Sequence, residues 1–249
     1  MKRRYWRQRL LTGMEIMLTY LGCALLRDNR GESMGFTIIK QIYRCTLGKL
    51  ITWHVNARDQ KRGLDFSREV DTKEGVKYGA PSTARTQHIV RKYFGDNITE
   101  EDSIIDIGCG KGRMLAFFAE FPFKQICGLE YVQEMVDIAK NNIGVLGLGG
   151  GVKIIAGDAR VYEDLDQYNY FYMSNPFWED DIMVALIKNI KKSISRNNRM
   201  IHIIYNNPRQ ENILISQGLV LEKEMPVFFN TKVNVYTFSA QQQTKNNVV

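Results

Sequence analysis

"DIGCGKGR", residues 106–113, is the stretch that decides the fold. It overlaps the end of the apolar run SIIDI (103–107) and sets glycines at positions 108, 110 and 112. Without a Cβ, such a backbone turns tightly at a strand end and lets a ligand come close to the chain. A helix beginning just beyond the loop offers its amide groups and positive dipole end to the same ligand. The GxGxG spacing separates this loop from two familiar phosphate binders. A dinucleotide fingerprint would place its third glycine where Arg113 stands, and a P-loop would have Ser or Thr where Gly112 follows Lys111.

Working outward, short β-rich runs alternate with helical stretches from residue 103 onward. The runs are SIIDI (103–107), QICGLE (125–130), VKIIA (152–156), YFYMS (170–174) and MIHIIY (200–205), with helical patterns near 112–120, 132–143, 180–195 and 209–217. Strands that are apolar along nearly their whole length, separated by helices, predict a parallel sheet covered on both faces. LVLEKEMPVFF, the turn NTK and VNVYTFS then predict two consecutive strands joined tightly. A further helix is expected over Thr83–Phe94, and the tail QQQTKNNVV is expected to fray.

Acids close two of the other strands. Glu130 ends the second strand, about 20 residues beyond the glycines, where a carboxylate can accept hydrogen bonds from ribose hydroxyls. Asp158, in AGDAR, follows the third strand, where an acid can meet an adenine amino group. A solvated strand end would equally account for Glu130 alone, and a helix N-cap for Asp158 alone. Three ligand-facing positions on three successive strands favour a nucleoside crevice over both.

These residues resemble class I S-adenosylmethionine-dependent methyltransferases, with DIGCGKG, GLE, GDA and SNPF in that family's order over roughly residues 70–240. A narrower likeness is to an uncharacterised bacterial group with an NPF catalytic loop, in which VDT, AEFPF, GLE, NPF and YNNP recur in sequence. A weaker one is to non-SET protein lysine methyltransferases. The resemblance implies a Rossmann-like α/β fold with a seven-stranded sheet in the order 3-2-1-4-5-7-6, its last strand antiparallel. It implies S-adenosylmethionine as cofactor, with Gly108, Gly110 and Gly112 holding the methionine moiety and Asp106 near its amino group. Glu130 would then bind ribose and Asp158 the adenine edge.

Amine-methylating members of this fold carry an Asp/Asn/Ser-Pro-Pro-aromatic loop after the fourth strand. Here the run is Asn175-Pro176-Phe177, without the second proline. An Asn oxygen and the next backbone carbonyl can accept two N–H bonds of an amine and aim its lone pair at a methyl group. Proline fixes the turn, and an aromatic ring stacks on the substrate or stabilises positive charge. The alternatives are an Asx-turn for Asn175, and packing for Phe177 and Trp178. Further substrate-contact candidates are Trp178, Asn206 and Asn207 in YNNP, and Tyr78 in KYGAPSTAR, for which buried packing is an equal reading. The missing proline leaves the amine unnamed.

Composition excludes several classes. With 44% apolar and 24% charged residues the chain is an ordinary globular one. Its cysteines (Cys23, Cys45, Cys109, Cys127) form no CxxC pair, so reduced thiols in a cytoplasmic protein are expected, with no structural metal. The histidines (His54, His88, His202) have no visible acid or nucleophile partner, so no hydrolase triad is expected.

The net charge of +7 is unevenly spread. Residues 1–65 hold 13 Lys/Arg against 5 Asp/Glu, and the remainder 21 against 22. A basic segment of this kind fits a nucleic acid or an anionic membrane surface, or else a solvated helix face. Its apolar stretch is broken by Glu15 and followed by RDNRGES, which reads as an amphipathic or core-capping helix rather than a signal peptide or a span. The expected organisation is a basic helical extension or cap (1–65), a connector and helix (66–100), the cofactor-binding domain (101–240) and a flexible tail (241–249).

The leading expectation is an S-adenosylmethionine-dependent methyltransferase directed at a nitrogen, its acceptor a protein amine, a small molecule or a nucleic acid. The alternative is a non-catalytic nucleoside-binding module that docks acidic partners through its basic N-terminus. A nucleotide-dependent oxidoreductase is disfavoured by Arg113 and the terminal hairpin.

Overall fold

A computed structural model of the chain describes residues 57–66, 70–71, 77–78, 84–95, 97–228 and 231–239. The readings of the N-terminal helices and the tail lie outside them, as does the basic cap up to residue 56. By backbone contacts the chain divides into two compact units, Met1–Gly63 and Leu64–Val249. The second carries the sheet.

Two short strands, β1 (Val70–Asp71) and β2 (Lys77–Tyr78), pair antiparallel within the stretch expected to be a plain connector. Helix α1 (Ala84–Phe94) follows, and then the alternating portion begins. Its elements are β3 (Ser103–Ile107), α2 (Arg113–Phe118), β4 (Gln125–Glu130), α3 (Gln133–Val145), β5 (Val152–Ala156), β6 (Tyr170–Met173), α4 (Asp180–Arg196), β7 (Ile201–Asn206) and α5 (Glu211–Ser216). Strands β8 (Val220–Phe228) and β9 (Thr231–Phe238) close it.

The sheet has seven strands in the order β5-β4-β3-β6-β7-β9-β8, which is the expected 3-2-1-4-5-7-6. Strands β5 to β7 pair parallel through β4, β3 and β6, and β9 alone runs antiparallel to both its neighbours. The chain reverses direction beside β3, between β4 and β6. Open parallel sheets bind ligands at such a switch point, outside the carboxyl ends of the strands.

Alternation along β3 sorts the core onto two faces. Ile105 and Ile107 pack with Phe171, Met183, Leu186 and Ile190 on the α4 face. Ile104 packs with Phe94, Phe118, Tyr170 and Tyr172 on the other. On that second face AEFPF finds its role: Phe121 and Phe123 meet Phe94 edge-on, with ring centroids 4.9 and 5.5 Å apart. The motif is packing, not chemistry.

His202 departs from expectation. It lies near the start of β7, where the Tyr93 hydroxyl is 3.0 Å and the Glu222 carboxylate 3.3 Å from its Nδ1. The acid comes from β8, a partner invisible in linear sequence, and the cluster sits at the opposite end of the strand from the glycine loop. Among the described residues no helix is long and apolar enough to cross a membrane. Among the same residues no group of three or more His, Cys, Asp or Glu side chains could hold a metal ion.

Candidate active site

The glycine loop is shaped by left-handed backbone. Gly108, Gly110 and Gly112 have φ of +73°, +51° and +81°, values L side chains rarely adopt. Gly108 and Cys109 donate their N–H groups to the Leu129 carbonyl at 2.8 and 3.2 Å, so the loop curls over the end of β4. There Glu130 takes hold of it. One carboxylate oxygen accepts from the Gly110 N–H at 2.8 Å and the other from the Val132 N–H at 3.0 Å, with the residue 2% exposed. A carboxylate oxygen carries two lone pairs, so it can accept more than one hydrogen bond.

A strap of chain braces the loop from behind. The buried Lys111 ammonium pairs with Asp65 at 2.9 Å, and the Arg113 guanidinium lies 4.8 Å over the Phe66 ring. The fully buried Asn142 joins them: its oxygen accepts from the Asp65 N–H at 2.8 Å, and its amide donates to the Asp65 and Lys111 carbonyls. Sequence reading placed residues 64–66 in or beside a connector, because contacts across such separations leave no local periodicity.

Asp106 is buried beneath the loop. Burial first, and then the charge of Glu130, hold its carboxyl well above the ordinary carboxylate range. A raised carboxyl holds its proton more tightly folded than unfolded. Its contribution to stability is therefore complete below the unfolded value, about 3.9, and is lost as pH rises toward the folded value. Asp106→Asn never has to ionise. It is expected to melt several degrees above the wild type at neutral pH, with the gain fading toward pH 4. Scanning fluorimetry over that range checks it, and a gain independent of pH would contradict the assignment.

Asp158 is engaged by its own loop. Arg160 donates to it through the backbone N–H at 2.9 Å and through Nε and Nη2 at 2.8 and 2.6 Å, which lowers the carboxyl below its usual range. This is an Asx-type turn with an added ion pair. Exposed apolar side chains flank both acids: Tyr131, which follows Glu130 directly and is 60% exposed, and Val161, also exposed past Asp158.

The loop after β6 stands over the first glycine. A Cβ on Gly108 would come within 2.7 Å of the Pro176 Cβ and 3.3 Å of its Cα. Asn175 is held left-handed at φ +47°, and its side-chain oxygen is buried with no hydrogen-bond partner among the described residues. An Asx-turn would have that oxygen accept a backbone N–H, so that alternative does not form. Phe177 is half-buried against the core cluster, as the packing alternative has it. Asn206 donates its amide to the Ser174 hydroxyl at 2.9 Å, tying the ends of β6 and β7 together. Asn207 is the other left-handed non-glycine residue described, at φ +51°. Trp178 is 76% exposed. Tyr78 is placed by its backbone pairing with Val70, and its side chain lies outside the described residues.

Residues 104–197 match a protein family described as a methyltransferase domain. S-adenosylmethionine is the cofactor this match supports, and the glycine loop, Glu130 and Asp106 stand together at the carboxyl ends of β3 and β4. The chain is 26% identical over 145 residues to protein-L-isoaspartate O-methyltransferase 1 of Archaeoglobus fulgidus, covering 57% of this chain and 64% of that protein. It is 24% identical over 106 residues to methyltransferase ungE' of Aspergillus campestris, covering 40% and 31% respectively. It thus spans about a third and just under two thirds of the curated relatives it matches. Among solved structures, an RNA methyltransferase from Salinibacter ruber in complex with S-adenosyl-L-homocysteine has a TM-score of 0.51 at 12% identity, covering 65% of this chain and 95% of that one. Ribosomal protein L11 methylase from Lactobacillus delbrueckii subsp. bulgaricus has a TM-score of 0.50 at 12% identity, covering 63% and 79%. At these identities the likeness is one of fold: this is the class I methyltransferase sheet.

Proposed function

We propose that the protein is an S-adenosylmethionine-dependent methyltransferase that acts on a nitrogen nucleophile held by the Asn175-Pro176-Phe177 loop. The observation that carries this reading is the buried, unpartnered Asn175 oxygen, on a left-handed turn packed against the first glycine. A buried acceptor left unsatisfied costs about 1–3 kcal/mol unless a ligand supplies the donor. Left-handed backbone outside glycine adds strain of the kind that collects at functional sites.

Gly108, Gly110 and Gly112 would hold the methionine end of the cofactor, and Asp106 would face its amino group. Glu130 would accept from the ribose hydroxyls. Asp158, Tyr131 and Val161 would border the adenine. When bound, the cofactor supplies an electrophilic methyl group on a sulfonium. The chain's part is to place the acceptor: the Asn175 oxygen takes one N–H and the neighbouring backbone carbonyl the other, which leaves the lone pair directed at the methyl carbon. Pro176 fixes the turn, and Phe177 anchors it on the core. The NPF loop also favours the uncharacterised bacterial group over families with a second proline.

Calorimetric titration with S-adenosylhomocysteine tests the cofactor site. Labelled cofactor with a cell lysate, fractionated into protein, nucleic-acid and small-molecule pools, tests transfer. Asn175→Ala is expected to lower kcat on order of 100-fold, as loss of one positioned polar contact does elsewhere, with cofactor affinity within about twofold of wild type. Cofactor binding without turnover on any pool would instead make the chain a binding module.

A further inference from the structure

Trp178 lies three residues beyond Asn175 and exposes most of a large aromatic side chain to solvent. Arg209, from the loop after β7, places its guanidinium carbon 4.0 Å over the centre of the indole. This ring, on the same loop as Asn175, already seats a cation, as the negative face of an indole does best among side chains.

The segment that carries Trp178 has itself the opposite sign to a phosphate binder, Arg209 being the cation brought to it from another loop. From Asn175 to Ile187 there is no Lys, Arg or His, and Glu179, Asp180 and Asp181 follow Trp178 without interruption. All three acids are exposed. Asp180 accepts from the Gln210 amide at 2.9 Å, and Glu179 accepts from the Trp178 N–H at 3.3 Å. None of the three forms an ion pair among the described residues. These acids open α4 and complement its positive dipole end, with the Arg209 guanidinium over the neighbouring Trp178, and their exposed carboxylates attract a cation and repel a nucleic-acid backbone.

We infer that the methyl acceptor is a cationic alkyl amine of the lysine type, seated against Trp178 and the Glu179–Asp181 rim, and not an exocyclic amine of a nucleobase. This rests on the methyl-transfer reading above. The ammonium group gives one proton to bulk water and becomes a neutral amine with two N–H bonds, which Asn175 orients. Its lone pair forms the N–C bond as the C–S bond breaks, and that bond's electron pair stays on sulfur as a neutral thioether. Positive charge passes to the nitrogen, where Trp178 and the carboxylates stabilise it, and a proton then leaves to water.

Arg209 gives the inference a sign that other acceptors would reverse. For a cationic substrate its guanidinium is a competitor for the indole face. For a phosphate-bearing substrate it is an anchor. The test uses the full chain, labelled cofactor, and two probes: an arginine-free peptide containing several lysines, and a single-stranded RNA of mixed sequence. Label is expected in the peptide, with kcat/KM rising about tenfold per pH unit from pH 7 to 9, because the free amine is the minor form below its pKa of about 10.4. Glu179→Gln with Asp181→Asn is expected to lower kcat/KM for the peptide roughly five- to tenfold at low salt, less as salt rises. Arg209→Ala is expected to lower its KM about threefold, within the range of an exposed cation–π contact.

Label in the RNA, or none in the peptide from protein that binds S-adenosylhomocysteine by calorimetry, overturns the inference. So does a KM that Arg209→Ala raises or leaves unchanged. Absence of S-adenosylhomocysteine binding would instead remove the methyl-transfer reading itself.

Discussion

Glu130→Ala is expected to abolish measurable binding of S-adenosylhomocysteine and to destabilise the free protein as well. Glu130 has two tasks that one substitution removes together. Its carboxylate accepts the Gly110 and Val132 N–H groups, which fixes the glycine loop against the end of β4. In the reading above, the same oxygens receive the ribose hydroxyls. Hydrogen bonds to a charged acceptor contribute about 1.5–3 kcal/mol each, and two backbone N–H groups would be left without their acceptor. A loss of about 2–4 kcal/mol of stability follows, together with an affinity decrease above 100-fold. Glu130→Gln separates the tasks, since its amide oxygen can still accept one N–H. It should recover much of the melting temperature and little of the affinity. If Glu130→Ala binds S-adenosylhomocysteine within tenfold of wild type, Glu130 is a structural brace only, and the ribose belongs elsewhere.

How far the sequence could be read depends on the range of the interactions involved. The runs at 103–107, 125–130 and 152–156 were placed to the residue. In each, an apolar run stops at an abrupt change to glycine or charge, a purely local signal. The ends of the other elements were less legible. The run at 200–205 starts one residue early, because exposed Met200 continues the apolar pattern without joining the ladder. Nothing local announces that Asn142 joins Asp65 to Lys111, that Glu222 meets His202, or that Arg209 lies over Trp178. Each is made by folding segments far apart in the chain against one another. The site divides in the same way. Gly108, Gly110, Gly112, Glu130 and Asp158 could be singled out as candidates because strand ends are predictable. The unpartnered oxygen of Asn175 appeared only in three dimensions, and it turns an Asn-Pro pair from one of many turn sequences into a candidate for holding an amine.

Gly108→Ala is expected to remove methyl transfer almost entirely, by a route that does not touch the substrate. The added Cβ would stand 2.7 Å from the Pro176 Cβ and 3.3 Å from its Cα, and neither neighbour is the far end of a flexible side chain. One is a ring atom and the other backbone, so the loop after β6 must move. Gly108 also sits at φ +73°, where an L side chain costs about 1–2 kcal/mol before any clash. Displacement by even 1 Å moves the Asn175 oxygen out of line with the methyl group, and misplacement on that scale costs about 100-fold in rate.

Gly112→Ala is the matched control. Its φ of +81° carries the same backbone strain, but its Cβ would meet the Ala139 Cβ at 3.3 Å, on the side of α3 and away from Pro176. Both variants should therefore melt lower than wild type, Gly108→Ala by more because of its clash with Pro176, while kcat at saturating cofactor falls about 100-fold in Gly108→Ala and only severalfold in Gly112→Ala. Equal losses of kcat would mean that the backbone strain alone is felt. In that case the contact between the glycine loop and Pro176 would have no part in aiming the acceptor.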